Sequence, residues 1–261
     1  MEKSLNSLGQ ILTSCGDYIL NLSHGRRDID FSTKDLNSLV TEFDIASENF
    51  LIDKLYQLIP EATFLTEENT VTANKSGLYW IIDPIDGTTN FIHKIPFWGI
   101  SVALCKEGQI VMGAVADISN HAIYAAELSK GAFKNNVKIG VSTRSKLEDS
   151  LIATGFPYYD FGKTDAYLTV LQYFMEHTRG IRRCGAASLD LCYTATGSFD
   201  GFFEYGLSSW DVAAGALIVQ EAGGVILDFS RGNNWLFGKE IIACTPNIAE
   251  EFTSIIAGAF K

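Results

Sequence analysis

Trp80-Ile81-Ile82-Asp83-Pro84-Ile85-Asp86-Gly87-Thr88-Thr89-Asn90-Phe91 is the stretch on which the reading of this chain turns. Residues 78–82 form an unbroken apolar run of strand length, which reads as a buried strand. Pro84 has no N–H to give to a ladder, so it is expected to stop the pairing there. Side chains three apart on a continuous strand point to opposite faces, and Asp83 and Asp86 share a site only if the chain turns at Pro84. The Ile85 carbonyl, freed from the ladder, can then face the same centre. Gly87-Thr88-Thr89 has the character of a helix start, whose unpaired N–H groups form a seat for phosphate.

Working outward, Leu5, Leu8, Leu12, Cys15 and Ile19 fall on one helical stripe, and residues 40–58 repeat the pattern with Phe43, Phe50, Leu51, Leu55 and Leu58. Between these helices, residues 24–38 carry Arg26, Arg27, Asp28, Asp30, Lys34 and Asp35 without a period, and are expected to be a mobile, exposed loop. Residues 98–128 read as a strand-turn-strand-turn-strand meander, with turns at Glu107-Gly108 and Ser119-Asn120. A polar stretch, 134–149, is taken as a junction between a half spanning 1–140 and a half spanning 141–261. In the second half, strands are expected at 150–154, 224–227 and 240–244, and helices at 163–177, 186–196 and 210–222, the last closed by Gly223-Gly224. Alternating elements of this kind make a layered α/β (α+β) fold.

Composition narrows the function classes. The 261 residues carry a formal charge of −11 with no run of like charges, which argues against nucleic acid as a partner. An acidic chain still binds anions where cations stand between its carboxylates and the ligand. The five cysteines show no zinc or redox spacing and read as reduced core residues of a cytoplasmic protein. Leu12-Thr13-Ser14-Cys15 resembles a lipoprotein cleavage site, but Glu2, Asn6 and Gln10 precede it where an apolar stretch is needed. No run of about 18 apolar residues occurs, so no membrane span is expected.

Two carboxylates within about 4 Å repel by roughly 4 kcal/mol at an effective dielectric near 20. A shared proton, an arginine or a divalent cation would offset this, and no arginine lies near Asp83 and Asp86 in sequence. Oxygen ligands favour magnesium, calcium or manganese over zinc. Three more acids are candidates, each with a plainer reading beside it: Glu67-Glu68 as a strand end or a surface loop, Asp211 as a metal ligand or a helix N-cap, and Asp44 as a functional or a solvated helix residue.

Glu67-Glu68, Asp83-Pro84-Ile85-Asp86-Gly87-Thr88-Thr89-Asn90-Phe91, Trp210-Asp211-Val212-Ala213-Ala214-Gly215 and Glu221-Ala222-Gly223-Gly224 together resemble the inositol monophosphatase family. Thr154-Gly155-Phe156-Pro157 and Arg183-Cys184-Gly185-Ala186-Ala187-Ser188 resemble its intervening blocks. The resemblance implies a layered αβαβα sandwich, a homodimer, and two to three Mg2+ ions, with Mn2+ a substitute and Ca2+ or Li+ inhibitory. It implies that Glu67, Asp83 and the Ile85 carbonyl hold one metal, and Asp83, Asp86 and Asp211 a second; a third rests mainly on Glu67. Thr88, assisted by Asp44, would activate a water, with Glu67 counted among the catalytic residues. The Gly87 and Thr88 amides would hold phosphate, and Ala187, Glu204 and Asp211 would contact the substrate's hydroxyls. Thr66 departs from the Gly that many members carry before the acidic pair.

The implied activity is hydrolysis of inositol monophosphate or a similar small polyol or sugar phosphate by a metal-activated water. A bisphosphate nucleotidase or a fructose bisphosphatase of the same superfamily is the alternative, with Arg182-Arg183 as a second-phosphate site or a solvated pair. The haloacid dehalogenase class also uses Asp-Gly-Thr, but its aspartates are separated by one residue and these by two. A non-catalytic interaction protein of the same fold would not need Thr88, Asp44 and Glu67 together. His24, His93, His121 and His177 lack a catalytic neighbour and read as structural or surface residues.

Overall fold

A computed structural model describes residues 2–25, 29–35, 38–157 and 161–260. In chain order the elements are α1 (Glu2–Ser23), β1 (Phe31–Asp35), β2 (Ser38–Thr41), α2 (Glu42–Leu58), β3 (Thr63–Thr66), β4 (Leu78–Asp86), α3 (Thr88–Ile92), β5 (Gly99–Lys106), β6 (Gln109–Asp117), β7 (Ala122–Glu127), β8 (Gly131–Lys134), β9 (Val137–Lys138), β10 (Leu151–Thr154), α4 (Thr164–His177), β11 (Gly180–Arg182), α5 (Ala187–Ala195), β12 (Gly201–Tyr205), α6 (Ser209–Glu221), β13 (Val225–Leu227), β14 (Glu240–Cys244) and α7 (Ala249–Ala259).

Strands β3 to β9 form a seven-stranded sheet in sequential order, antiparallel except for the parallel β3–β4 pair. The second sheet has the order β11-β10-β12-β14-β13. Helices α1 and α2 cover the outer face of the first sheet, α5 and α6 lie between the sheets, and α4 and α7 cover the second. Three apolar clusters fill the spaces: Leu8, Leu12 and Leu51 under α1 and α2, Leu191 and Leu217 in the middle, Phe174 and Phe252 beyond the second sheet. This is the αβαβα sandwich.

The middle helix α6 is built of small residues because it is wedged between strand β6 and helix α5. A Cβ on Gly113 of β6 would lie 2.9 Å from the Ala214 backbone, and one on Gly215 would lie 2.7 Å from Leu191. Sheet and helix approach here as closely as backbones allow.

Several expectations need correction. Residues 24–38 are not an irregular loop throughout, because β1 and β2 pair as an antiparallel hairpin; Arg26, Arg27 and Asp28 lie outside the described residues. The second helix starts at Glu42, since Thr41 caps it and Val40 belongs to β2. The polar stretch 134–149 includes the short strand β9. Strand β12 and helix α7, neither of which the periodicity singles out, complete the second sheet and its outer layer.

The most consequential correction concerns Pro84. Strand β4 does not end there: Asp83 pairs with Ser101 and Asp86 with Gly99, three residues opposite two steps, which is a β-bulge. The extra residue reverses the alternation. Tyr79 and Ile81 face the middle layer while Trp80 and Ile82 face α1 and α2, yet Ile85 joins Ile82 on the α1 side. Asp83 and Asp86 therefore both face the middle layer, through a bulge within a paired strand.

Candidate functional site

The bulge supplies two acids and the neighbouring elements bring two more. Strand β3 pairs with β4 up to Thr66–Ile82, and the Glu67 N–H extends the ladder to the Ile82 carbonyl at 3.2 Å, which sets Glu67 beside Asp83. Ser101, the ladder partner of Asp83, donates its hydroxyl to the Trp210 carbonyl at 3.1 Å, fixing the first turn of α6 over β4 and β5. That turn carries Asp211. Oxygens of Asp83, Asp86 and Asp211 come within 4.8 Å of one another.

Asp211 is not the N-cap of its helix. Ser208 is the cap, and Asp211, three residues on, accepts the Ser208 N–H at 2.6 Å. Each of the three acids gives one oxygen to a nearby donor in this way. Asp83 accepts the Ile85 N–H at 3.1 Å, and Asp86 accepts the Ser188 N–H at 2.7 Å together with the Ser188 hydroxyl. No ion pair among the described residues involves any of the three. Burial, then the charges of Glu67, Asp86 and Asp211, hold the Asp83 carboxyl well above the usual range. Burial and the Asp86 charge push Asp211 up to about 8, and burial pushes Asp86 up to about 6 against its hydrogen bonds from Ser188. Facing acids with only oxygen donors, where the Arg183 charge reaches Asp86 but forms no ion pair with it, are the arrangement that a hard divalent cation relieves.

Gly87 sits at φ 90 as the N-cap of α3, where a Cβ would lie 3.2 Å from the Ala186 side chain and from the Gly185 and Phe97 carbonyls. Only glycine turns the chain there without strain. The next residue, Thr88, has its hydroxyl 3.0 Å from the Ile85 carbonyl and 3.2 Å from Asp44 Oδ1. Asp44 is 1 % exposed, so its reading as a solvated helix residue fails. It is the third helical residue of α2, and its other oxygen accepts the Thr41 N–H at 2.8 Å and the Thr41 hydroxyl. Burial raises the Asp44 pKa, and the bonds from Thr41 and Thr88 oppose the rise.

Opposite the three acids, a cavity of about 270 Å3 is closed by Ala187, Glu204 and Gly155. Ala187 opens α5, and its amide lies against the Asp86 carboxylate. Glu204, on β12, is buried, accepts no hydrogen bond from the described residues, and is held well above the ordinary carboxylate range by burial and by the Asp190 charge. A Cβ on Gly155 would meet its carboxyl at 2.0 Å, so the glycine makes room for it. Arg183, packed 5.3 Å from the Phe156 ring centroid, is the one cation lining the cavity among the described residues.

A model of the inositol monophosphatase family matches residues 6–259. The chain belongs to that family. The inositol-1-monophosphatase of Rhizobium meliloti is 37 % identical over 253 residues, 97 % of this chain and 95 % of that protein. The putative Nus factor SuhB of Neisseria meningitidis serogroup B is 40 % identical over 258 residues, 98 % of this chain and 99 % of that one. Among solved structures, extragenic suppressor protein suhB from Bartonella henselae superposes with a TM-score of 0.91 at 37 % identity, covering 96 % of this chain and 97 % of that chain.

The structure thus brings Glu67, Asp83, Ile85, Asp86, Asp211, Thr88, Asp44, Gly87, Ala187 and Glu204 around one cavity or directly behind it. Sequence reasoning passed over three supporting residues. Thr41 is legible as the first position of Thr-x-x-Asp, and Ser208 as the first of Ser-x-x-Asp, both capping boxes that orient a site aspartate. Ser188, 102 residues from Asp86, leaves no local signal.

Proposed function

We propose that this protein is a magnesium-dependent phosphomonoesterase that hydrolyses inositol monophosphate or a similar small polyol or sugar phosphate. The observation that carries the reading is the approach of Asp83, Asp86 and Asp211 to within 4.8 Å beside the Thr88–Asp44 pair. Glu67, Asp83, the Ile85 carbonyl, Asp86 and Asp211 would hold two to three Mg2+ ions. When bound, the cations supply an acidified water and positive charge for the phosphate oxygens.

The chain's own groups do the rest. The Gly87 and Thr88 amides hold the phosphate at the start of α3. The Thr88 hydroxyl accepts a proton from the attacking water and passes its own to Asp44 Oδ1, a carboxylate that burial makes more basic. Glu67, beside Asp83 in the cavity wall, would help hold that water. Water adds to phosphorus as the P–O ester bond breaks, the departing alkoxide takes a proton from solvent water, and Asp44 returns its proton to solvent. The Ala187 backbone, Glu204 and Asp211 fix the hydroxyls of the departing alcohol, and the enclosing walls limit its size to that of a small polyol.

Phosphate release from inositol phosphates, sugar phosphates, nucleoside monophosphates and bisphosphorylated nucleotides, with and without Mg2+, tests the reading. Magnesium-dependent release from inositol monophosphate is expected, with Mn2+ substituting and Ca2+ or Li+ inhibiting. No release from any of them would overturn it. The formal charge of −11 supports a function without direct nucleic-acid contact, the five free cysteines support a cytoplasmic setting, and the family resemblance supports a homodimer. The relatives named Nus factor SuhB support a second role of that kind beside hydrolysis, since binding alone does not need the Thr88–Asp44 pair. A Thr88→Ala variant that loses turnover and keeps such a role would separate the two.

A further inference from the structure

Asp44 and Glu48 stand one helical turn apart on α2, both buried, and the function above uses only the first. Glu48 is 0 % exposed, and no ion pair among the described residues neutralises it. A carboxylate enclosed without a cation persists only where donors surround it. Three do, all from one loop: Oε2 accepts the Glu68 N–H at 2.8 Å, and Oε1 accepts the Thr70 N–H at 2.9 Å and the Thr70 hydroxyl at 2.7 Å.

That loop begins at Glu67. Its backbone is pinned from the other side as well, because the Glu67 N–H donates to the Ile82 carbonyl at 3.2 Å and its carbonyl accepts Asn69 Nδ2 at 3.0 Å. Asn69 turns the chain at φ 55, a left-handed conformation that asparagine tolerates better than other non-glycine residues, here with its own side chain bonded to the Glu67 carbonyl. The bonds to Glu48 fix the residues on either side of that turn.

We infer that Glu48 is a positioning residue for the metal centre: its hydrogen bonds to Glu68 and Thr70 aim the Glu67 carboxylate at Asp83. Helix α2 is then the common mount of the proton acceptor, through Asp44, and of an outer metal ligand, through Glu48. Neither neighbouring type replaces it. Glutamine presents an amide NH2 to a donor it cannot accept from, and aspartate falls one methylene short. The inference rests on Glu67 being a metal ligand.

Calorimetric titration of Mg2+ into the full chain, wild type against Glu48→Gln and Thr70→Val, tests it, with thermal unfolding in EDTA alongside. For Glu48→Gln the tightest site is expected to weaken by about 10–100-fold, the range for residues that orient metal ligands. For Thr70→Val, at an exposed position, the expected weakening is about threefold, with kcat at saturating Mg2+ within about twofold of wild type in both. Wild-type protein that takes up no Mg2+ removes the functional reading and this inference with it. Wild-type uptake with unchanged affinity in Glu48→Gln, however much its Tm falls, overturns the inference alone. If Glu48→Gln does not fold, Thr70→Val decides: weakened uptake supports the role, and unchanged uptake overturns it.

Discussion

Two sets of aspartates in this molecule have the same side chain and opposite surroundings. Asp117 accepts the Asn120 N–H, the Asn120 side-chain amide and the Tyr193 hydroxyl. Asp200 faces Arg144 and the Leu151 N–H, and Asp228 is wrapped by Ser230, Gly232 and Asn234. For Asp228, burial raises the pKa but the hydrogen bonds outweigh it, so the net shift is downward. Asp83, Asp86 and Asp211 instead meet each other, and all three are shifted upward. Burial does not divide the two sets, since Asp83 and Asp86 are buried like Asp117, Asp200 and Asp228 while Asp211 is half-buried. What separates a brace from a site is whether the surroundings complete the carboxylate's charge or compound it.

The sharpest way to break this distinction is Asp83→Asn. Removing one of the mutually repelling charges is expected to lower magnesium-dependent phosphate release by roughly 1000-fold or more, while the metal-free Tm rises by a few degrees. Unchanged turnover, or a large fall in metal-free Tm, would place Asp83 with the braces. Asp200→Asn is the mirror case. It leaves Arg144 and the Leu151 N–H poorly matched, so a loss of about 2–3 kcal/mol in denaturant unfolding is expected, with turnover per folded molecule unaltered. Lost turnover at full stability would erase the contrast.

Glu204→Gln asks whether the buried acid on β12 belongs with the metals or with the alcohol. Magnesium affinity by calorimetry is expected to hold, with KM for inositol monophosphate rising by about tenfold, the worth of roughly one hydrogen bond. Weakened magnesium uptake would move Glu204 to the metal side.

The smallest effect is the pH dependence. In EDTA the native state of the site binds protons that the unfolded chain releases, because the folded pKa values are raised. This contribution is fully present below the ordinary aspartate range and is lost as pH climbs through about 6 for Asp86 and about 8 for Asp211. The metal-free Tm is therefore expected to slip by several degrees between pH 5.5 and 8.5 on the order of the shifts involved, and saturating Mg2+ to restore it. A flat profile in EDTA would mean that the acids are not mutually exposed.

Apolar periodicity made much of this visible in advance. Leu5, Leu8 and Leu12 mark α1, and the turn at Glu107-Gly108 joins β5 to β6 with both residues at positive φ. The hairpin β1–β2 escaped because charges interrupt any alternation there, and β12 escaped because Gly201-Phe202-Phe203-Glu204-Tyr205 has none. Within the site, residues of Asp83-Pro84-Ile85-Asp86 could be named from their pattern and their family resemblance. Their supports could not, since Glu48 reaches a loop 20 residues away and Ser188 reaches Asp86 across 102. Hydrogen bonds between distant segments leave no periodic trace in either partner.

The bulge at Pro84 has an implication for how this stretch can vary. Closing the bulge with two residues still between Asp83 and Asp86 would yield a smoother strand with a complete ladder, and would at the same moment swing the second acid out toward α1 and α2. The more regular sheet and the assembled carboxylates are mutually exclusive outcomes of the same dozen residues. Point substitutions can tune this segment, but at its present length the acids stay together only with the bulge in place.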